Sequence, residues 1–307
     1  MTRSRRLLHR QTGRSAPRSG LDASPALIPS ADCLLPFCFL NFGVNLRKSK
    51  RGAPAASQTE MPETLAVNEV YLSLQGESTF AGLPCIFIRL TACNLRCSYC
   101  DTAYAFTEGE KQTLDQVRAE VHRQAEPFRR LASGGANPAL PLVELTGGEP
   151  LLQKNALPLM KQLCDDGFTV LLETSGAHDI TPVDPRVRRI MDLKCPSSGE
   201  AGRNRWENIP RLRATDELKF VIGTQEDYDW AKARIAEHRL DAICPLLFSW
   251  VHPLTPEQQD KALKRVPPGQ TPITRLQLVE KIIADALPVR FQLQMHKIIW
   301  PPEQRGV

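Results

Sequence analysis

The sequence predicts an α/β fold, a partial, open β/α barrel with parallel strands inside and helices outside. Three observations carry that expectation. From Asn68 onward, short apolar and β-branched runs alternate with helical patterns, as in a parallel sheet. The helical patterns are too few for eight complete strand–helix units, so the barrel is expected to stay open. The glycine-bearing and polar turns follow the strands directly, at the C-terminal ends where chemistry gathers in such folds.

In chain order, strands are expected at 69–74, 85–90, 142–146, 168–174, 190–193, Glu217–Ile222, 243–248 and 291–294. Helical patterns occupy 113–126, 153–166, 225–238 and 271–287. In the first of these, Leu114, Val117 and Val121 recur on one face after Thr113, a suitable N-cap. In the last, Thr271-Pro272 is expected to open a helix whose Leu276, Val279 and Ile283 share a face. No internal repeat is evident.

The 307 residues can bury a substantial core, and no apolar run approaches the ~20 residues of a membrane helix. The net charge of +5 is unevenly placed. Residues 1–60 hold ten Lys or Arg against three Asp or Glu, leaving 29 basic and 31 acidic residues in the rest. The body is therefore not a basic nucleic-acid binder. Residues 1–60, rich in Arg, Ser, Pro and Ala, read as a disordered basic leader or as sequence upstream of a start at Met61. An organelle transit peptide is the second reading of that composition. A short apolar patch at 34–42 holds Cys38 and follows Cys33. Residues 61–307 form the working domain. Nine cysteines, three of them clustered, with no convincing secretory signal, suit a reducing cytoplasm.

The clustered three are Cys93, Cys97 and Cys100, in a loop that follows the run Ile86-Phe87-Ile88-Arg89-Leu90. A closed zinc site wants four ligands, and no nearby histidine or second cysteine pair completes one. A four-iron cluster held by three thiolates leaves one iron open to a ligand. A structural zinc knuckle, or three unrelated buried thiols, is the plainer alternative.

Other turns carry polar groups. In Thr146-Gly147-Gly148-Glu149-Pro150 the glycines let backbone approach a ligand, and Glu149 can accept hydrogen bonds from a cationic amine. In Leu74-Gln75-Gly76-Glu77-Ser78, flat amide and carboxylate groups can grip a heterocycle's edge. Each is also consistent with an ordinary polar turn. Arg89 lies in an apolar strand, where an unpaired charge is costly; it serves either a substrate carboxylate or a structural ion pair. Asp101-Thr102 reads most simply as a cap for the segment that follows. Cys85, Cys164, Cys195 and Cys244 sit in apolar or strand contexts as buried thiols. His296 and Lys297 lie near the site or cap the last strand.

In combination, LQGES at 74–78, IFIRL at 86–90, CNLRCSYCDT at 93–102 and TGGEP at 146–150 resemble the 7-carboxy-7-deazaguanine synthase family of radical S-adenosylmethionine (SAM) enzymes. Supporting runs are ETSG at 173–176, DLKCPSSGE at 192–200, ELKFVI at 217–222 and QMHKIIW at 294–300. The resemblance runs from about residue 64 to the C-terminus and covers none of the leader.

The resemblance implies a radical SAM barrel and the following roles. Cys93, Cys97 and Cys100 hold a 4Fe-4S cluster. Tyr99, Cys100, Asp101, Gly148, Asp192, Leu193 and Lys194 contact SAM. Thr102 binds Mg2+ through its hydroxyl, a hard-oxygen contact. Leu74, Gln75, Gly76, Arg89, Thr146 and Pro302 hold a pterin. The implied reaction cleaves SAM reductively to a 5′-deoxyadenosyl radical, which takes hydrogen from C6 of 6-carboxy-5,6,7,8-tetrahydropterin. Ring contraction and loss of ammonia give 7-carboxy-7-deazaguanine, a precursor of queuosine. A flavodoxin or ferredoxin reductant and a homodimer are further implications. Two departures stand out: Ser78 replaces a frequent Gly, and residues 303–307 extend past the point where some members stop. A glycyl-radical-enzyme activase shares the cysteine loop and TGGEP-like turn but gives no reason for the LQGES turn, Arg89 or Thr102. A non-catalytic zinc or electron-transfer module is the other rival.

Overall fold

The computed structural model describes residues 63–133 and 140–307; the expected leader, Cys33, Cys38 and Met61 lie outside the described residues. Nine strands form one sheet: β1 (Thr64–Leu74), β2 (Pro84–Leu90), β3 (Glu110–Thr113), β4 (Leu142–Gly147), β5 (Val170–Thr174), β6 (Arg188–Asp192), β7 (Glu217–Ile222), β8 (Leu246–Trp250) and β9 (Arg290–Gln292). From β2 the order β2-β4-β5-β6-β7-β8-β9 is parallel throughout, while β1 runs antiparallel to β2 and carries β3 on its other side. The helices are α1 (Leu114–Ser133), α2 (Ala156–Asp165), α3 (Gln225–His238), α4 (Arg275–Ala284) and the single turn α5 (His296–Ile299). The β5–β6 crossover has no helix, and β6–β7 has only 3-10 turns. The sheet is open, as the scarcity of helical patterns implied.

Side-chain alternation along the strands divides the interior from the helix layer. Outward residues Ile86, Ile88, Val143, Leu145, Val170 and Leu172 pack beneath Val117 and Val121 of α1 and Leu159 and Leu163 of α2. On the other half, Leu218, Phe220, Ile222 and Phe248 pack against Tyr228, Ala231 and Ile235 of α3 and Leu278 of α4. Of the inward residues, Cys85, Phe87, Leu142, Leu171 and Ile190 form an apolar layer across the sheet's concave face. Two residues further along the same strands, Arg89, Glu144, Glu173 and Asp192 replace it with polar groups that line a cavity. The sequence changes character at this level on four adjacent strands.

Several element ends differ from expectation. β1 begins at Thr64 because Thr64–Val67 pairs with β3, whose exposed, charged sequence Glu-Lys-Gln-Thr has no apolar alternation to betray it. α1 runs on to Ser133, past Pro127. Its expected cap holds: Thr113 Oγ1 accepts from Gln116 N at 3.1 Å, and Gln116 Oε1 accepts from Thr113 N at 2.8 Å. α4 is capped by Thr274, not Thr271, through a reciprocal box with Gln277. Its buried residue is Leu278, whereas Leu276 and Ile283 are 66% and 72% exposed, so the expected apolar face points to solvent. β8 starts at Leu246 because Leu240–Ala242 forms a 3-10 turn and Pro245 follows Cys244. β9 stops at Gln292, leaving Leu293 and Gln294 to the turn before α5.

A buried ion pair ties the N-terminal ends of β6 and β7. Arg189 donates to Asp216 from Nε at 3.1 Å and from NH2 at 2.5 Å, and Arg213 adds a bond of 3.0 Å. It lies at the strand ends opposite those that hold the polar layer.

Candidate active site

The cavity at the C-terminal strand ends has a volume of about 630 Å3. One corner of it is the cysteine loop after β2. Cys93, Cys97 and Cys100 are unpaired thiols and all three line the cavity. Neighbouring turns fix the loop. Ser98 donates from N to Ser198 O at 3.1 Å and from Oγ to Ser197 O at 2.7 Å, and Arg96 N donates to Glu200 Oε1 at 2.7 Å. Arg96 also lies over the Phe106 ring at 4.0 Å. Ala92 adopts the left-handed region, φ 78°, while its N–H donates to Ala105 O at 2.9 Å. Burial pushes all three thiols up, Cys100 to about 12, so as free groups they are protonated.

The turn after β4 closes against this loop. Gly148 N donates to Leu90 O at 3.1 Å, and Glu149 N donates to Ala92 O at 2.8 Å. The two glycines thus serve chain-to-chain contact: a Cβ on Gly147 would fall 2.2 Å from Leu90 O, and Gly147 also has φ 126°. Glu149 does not meet the expectation of an amine-binding carboxylate. It is buried outside the cavity lining and accepts from Thr174 Oγ1, Ser175 N, Ser175 Oγ and Leu151 N. Its acceptor capacity is spent on holding the β4 and β5 turns together.

The other walls are polar. Lys219 donates to Glu77 Oε2 at 2.8 Å and to Glu173, whose second oxygen accepts from Thr146 Oγ1 at 3.1 Å. Burial pushes Glu77 up, but the Lys219 charge outweighs it and the carboxyl lies below its ordinary value. Arg89 forms the structural ion pair weighed for it. It donates from Nε to Glu69 at 2.7 Å and from NH2 to Tyr71 Oη at 2.6 Å, and it still lines the cavity. Lys297 pairs with Asp101, whose Oδ1 accepts from Thr102 Oγ1 at 2.8 Å. Burial works against an ionised Asp101, and Lys297 overcomes it. Lys194 donates to Asp192 Oδ2 at 2.8 Å.

Apart from Glu149 and Leu193, the expected site residues line this one cavity: Leu74, Gln75, Gly76, Arg89, Cys93, Cys97, Tyr99, Cys100, Asp101, Thr102, Thr146, Gly148, Asp192, Lys194 and Pro302. Leu193 does not, because its side chain is fully buried in the hydrophobic cluster beneath α3; its N–H donates to Lys219 O at 2.9 Å. Cys195 is likewise core, whereas His296 and Lys297 both line the cavity. Ser78, in place of the frequent Gly, adopts φ 63° and is bracketed by Gln292, which accepts from its N–H at 3.0 Å and donates to its carbonyl at 2.6 Å. That double clasp keeps the turn without glycine. Glu144, Glu173 and Lys219 were not singled out from the sequence. The signal was present: each is a charged residue inside a strand run, the criterion that selected Arg89.

The residues fit a three-thiolate cluster and a polar cofactor. Among the described residues no three His, Cys, Asp or Glu side chains converge on a single ion. Thiolates that each take a separate iron of one cluster need no such convergence. Tyr99 Oη and Asp192 Oδ1 are buried with no protein hydrogen-bond partner among the described residues, and both residues line the cavity beside the cysteines. Polar atoms in that condition call for a ligand.

Comparison with known proteins agrees. Residues 87–197 match the radical SAM superfamily model. The chain is 42% identical over 245 residues to the 7-carboxy-7-deazaguanine synthase of Koribacter versatilis, covering 79% of this chain and 100% of that protein. It is 41% identical over 252 residues to the synthase of Chlorobaculum tepidum, covering 81% and 99%. The crystal structure of QueE from Escherichia coli superposes with a TM-score of 0.54 at 25% identity, covering 76% of this chain and 95% of that one. Similar to these two relatives at 41–42% identity over 99–100% of their own length, the chain belongs to the 7-carboxy-7-deazaguanine synthase family of radical SAM enzymes.

Proposed function

We propose that this chain is a carbon–nitrogen lyase that converts 6-carboxy-5,6,7,8-tetrahydropterin to 7-carboxy-7-deazaguanine with loss of ammonia, on the route to queuosine and related 7-deazapurines. The observation that carries this reading is that the three cysteines and the Gln75–Arg89–Thr146 wall share one cavity.

Cys93, Cys97 and Cys100 would hold the 4Fe-4S cluster, with Tyr99, Asp101, Gly148, Asp192 and Lys194 around SAM. When bound, this pair supplies a carbon radical able to break an unactivated C–H bond. The chain's own residues bind, orient and shield. Arg89 has guanidinium donors beyond those given to Glu69 and Tyr71, and offers them to the substrate carboxylate. Gln75, Gly76 and Thr146 hold the heterocycle. Lys219 keeps Glu77 ionised and pairs with Glu173 at the cavity wall, where both side chains can accept from ring N–H groups. Thr102 Oγ1 donates a hydrogen bond to Asp101, which would leave its oxygen lone pairs for Mg2+. Pro302 is held over the cavity by Gln258, which donates to its carbonyl at 2.8 Å. A flavodoxin or ferredoxin would reduce the cluster, the protein would work as a homodimer, and a reducing cytoplasm would suit its thiols. Among the described residues no helix is long and apolar enough to cross a membrane.

A glycyl-radical activase would leave Gln75, Arg89 and Thr102 without work in the cavity they line. The test is turnover by anaerobically reconstituted protein with SAM, reductant and the tetrahydropterin, across a magnesium titration. The deazapurine is expected, with a rate that rises with magnesium. SAM cleavage without deazapurine would defeat the assignment.

A further inference from the structure

Of the three acidic side chains on the strands that line the cavity, Glu173 is paired with Lys219 and Asp192 with Lys194. Glu144, on β4, has no salt bridge among the described residues. It is 1% exposed and lies two residues before Thr146 on the inward face. Gln75 and Glu77 face it from the turn after β1, Tyr71 from β1, Cys85 from β2, Glu173 from β5 and Lys219 from β7.

The Gln75 amide fixes the direction of the contact. Glu77 N–H can only donate, and it stands 2.5 Å from Gln75 Oε1. The amide NH2 therefore points the other way, where it donates to Glu144 Oε2 at 2.8 Å. Glu144 Oε2 is thus an acceptor. An ionised carboxylate at this depth, with Glu173 and Glu77 nearby, is costly, and the neutral acid avoids that cost. Burial first, then repulsion from Glu173, pushes the carboxyl up to about 8. With Oε2 facing a donor, the acid proton belongs on Oε1, which has no protein acceptor among the described residues.

We propose that Glu144 is a specificity-determining residue that works as a neutral hydrogen-bond donor. Its Oε1–H meets an acceptor on the substrate heterocycle, a carbonyl oxygen or an unprotonated ring nitrogen, while Oε2 holds Gln75 against the same edge. A lone carboxylic acid of this kind selects rings with an acceptor at that position and rejects those with a second donor there. The inference rests on the pterin reading of the cavity and names the group that recognises the ring.

The experiment measures binding of oxidised 6-carboxypterin, by its fluorescence, to the anaerobic cluster-loaded protein with SAM. Wild type, Glu144→Gln and Glu144→Leu are compared from pH 6.5 to 9.5. Glu144→Gln keeps the shape, a donor and an acceptor, and is expected to bind within about threefold of wild type at pH 7. Glu144→Leu is expected to bind at least tenfold more weakly, with iron content and melting temperature recording that it is folded. Wild-type affinity should fall relative to Glu144→Gln as pH passes about 8, since the two proteins share the ligand's own titration. A wild-type affinity that tracks Glu144→Gln at every pH would overturn the proposal. So would Glu144→Leu binding like wild type, or Glu144→Gln as weak as Glu144→Leu. Wild-type turnover to the deazapurine separately tests the proposed reaction: tight pterin binding with no product defeats the lyase assignment and leaves the role of Glu144 standing.

Discussion

A methyl group on Gly148 would lie 2.0 Å from the carbonyl oxygen of Ala92 and 2.9 Å from the amide nitrogen of Cys93. The turn after β4 and the cysteine loop after β2 are therefore one structural unit. Both neighbours are backbone, so no rotamer change can relieve the contact. Gly148→Ala should cost about 1–3 kcal/mol of stability and more than half of the iron content. Gly202→Ala, where none of the described residues places an atom within 4 Å of the new Cβ, should change neither. Chemical denaturation and iron analysis check both.

The cysteines divide into two classes by location. Cys93, Cys97 and Cys100 line the cavity, whereas Cys195 and Cys244 are packed in the cluster beneath α3. Alanine at any of the first three should abolish SAM cleavage and strip iron and sulfide from the protein. Alanine at Cys195 should cost roughly 1 kcal/mol of stability and leave the iron content intact. Iron, sulfide and 5′-deoxyadenosine assays separate the two outcomes.

Thr102 and Asp101 give a test of the metal assignment. Thr102→Ala removes the hydroxyl and should lower product formation by about tenfold or more, with the magnesium stimulation lost. Thr102→Ser keeps the hydroxyl and should keep the stimulation. A magnesium titration of all three proteins, with SAM cleavage measured alongside, is the check.

The Arg189–Asp216 pair sets an acid limit on stability. Burial raises the Asp216 carboxyl, but hydrogen bonds from Arg189 and Arg213 outweigh it, and it lies below its ordinary 3.8. A depressed folded value means that the stabilisation is complete above about pH 4 and is lost as pH falls through the folded value. Asp216→Asn should cost about 3 kcal/mol at pH 7, because it leaves Arg189 buried with its charge unpaired. The difference between the two proteins should shrink as the pH is lowered below 4, as measured by denaturation midpoints.

Much of the site was legible in the sequence because its signals are local. Three thiols within eight residues, glycine pairs after apolar runs and an arginine inside a strand each report on their own neighbourhood. Period-two alternation then carries the argument from Arg89 to Glu144, Glu173 and Lys219, which satisfy the same criterion. What was not legible depends on partners distant in the chain. β3 pairs only through its backbone to Thr64–Val67, so its charged side chains conceal a strand. Glu149 has the same sequence context whether it meets an amine or Ser175, 26 residues on. In α4 the buried position belongs to Leu278, a choice made by what packs beneath the helix and not by its own periodicity. Leu193 sits between two cavity residues, Asp192 and Lys194, and alternation turns it into the core.

If the cysteine corner and the pterin wall serve one reaction inside a single cavity, hydrogen passes from the pterin to the deoxyadenosyl group. Substrate deuterated at C6, incubated with SAM and reductant, tests it most directly. Deuterium should appear in 5′-deoxyadenosine, with 7-carboxy-7-deazaguanine formed alongside it. If SAM were cleaved while all the deuterium stayed on an unreacted pterin, the account would be contradicted.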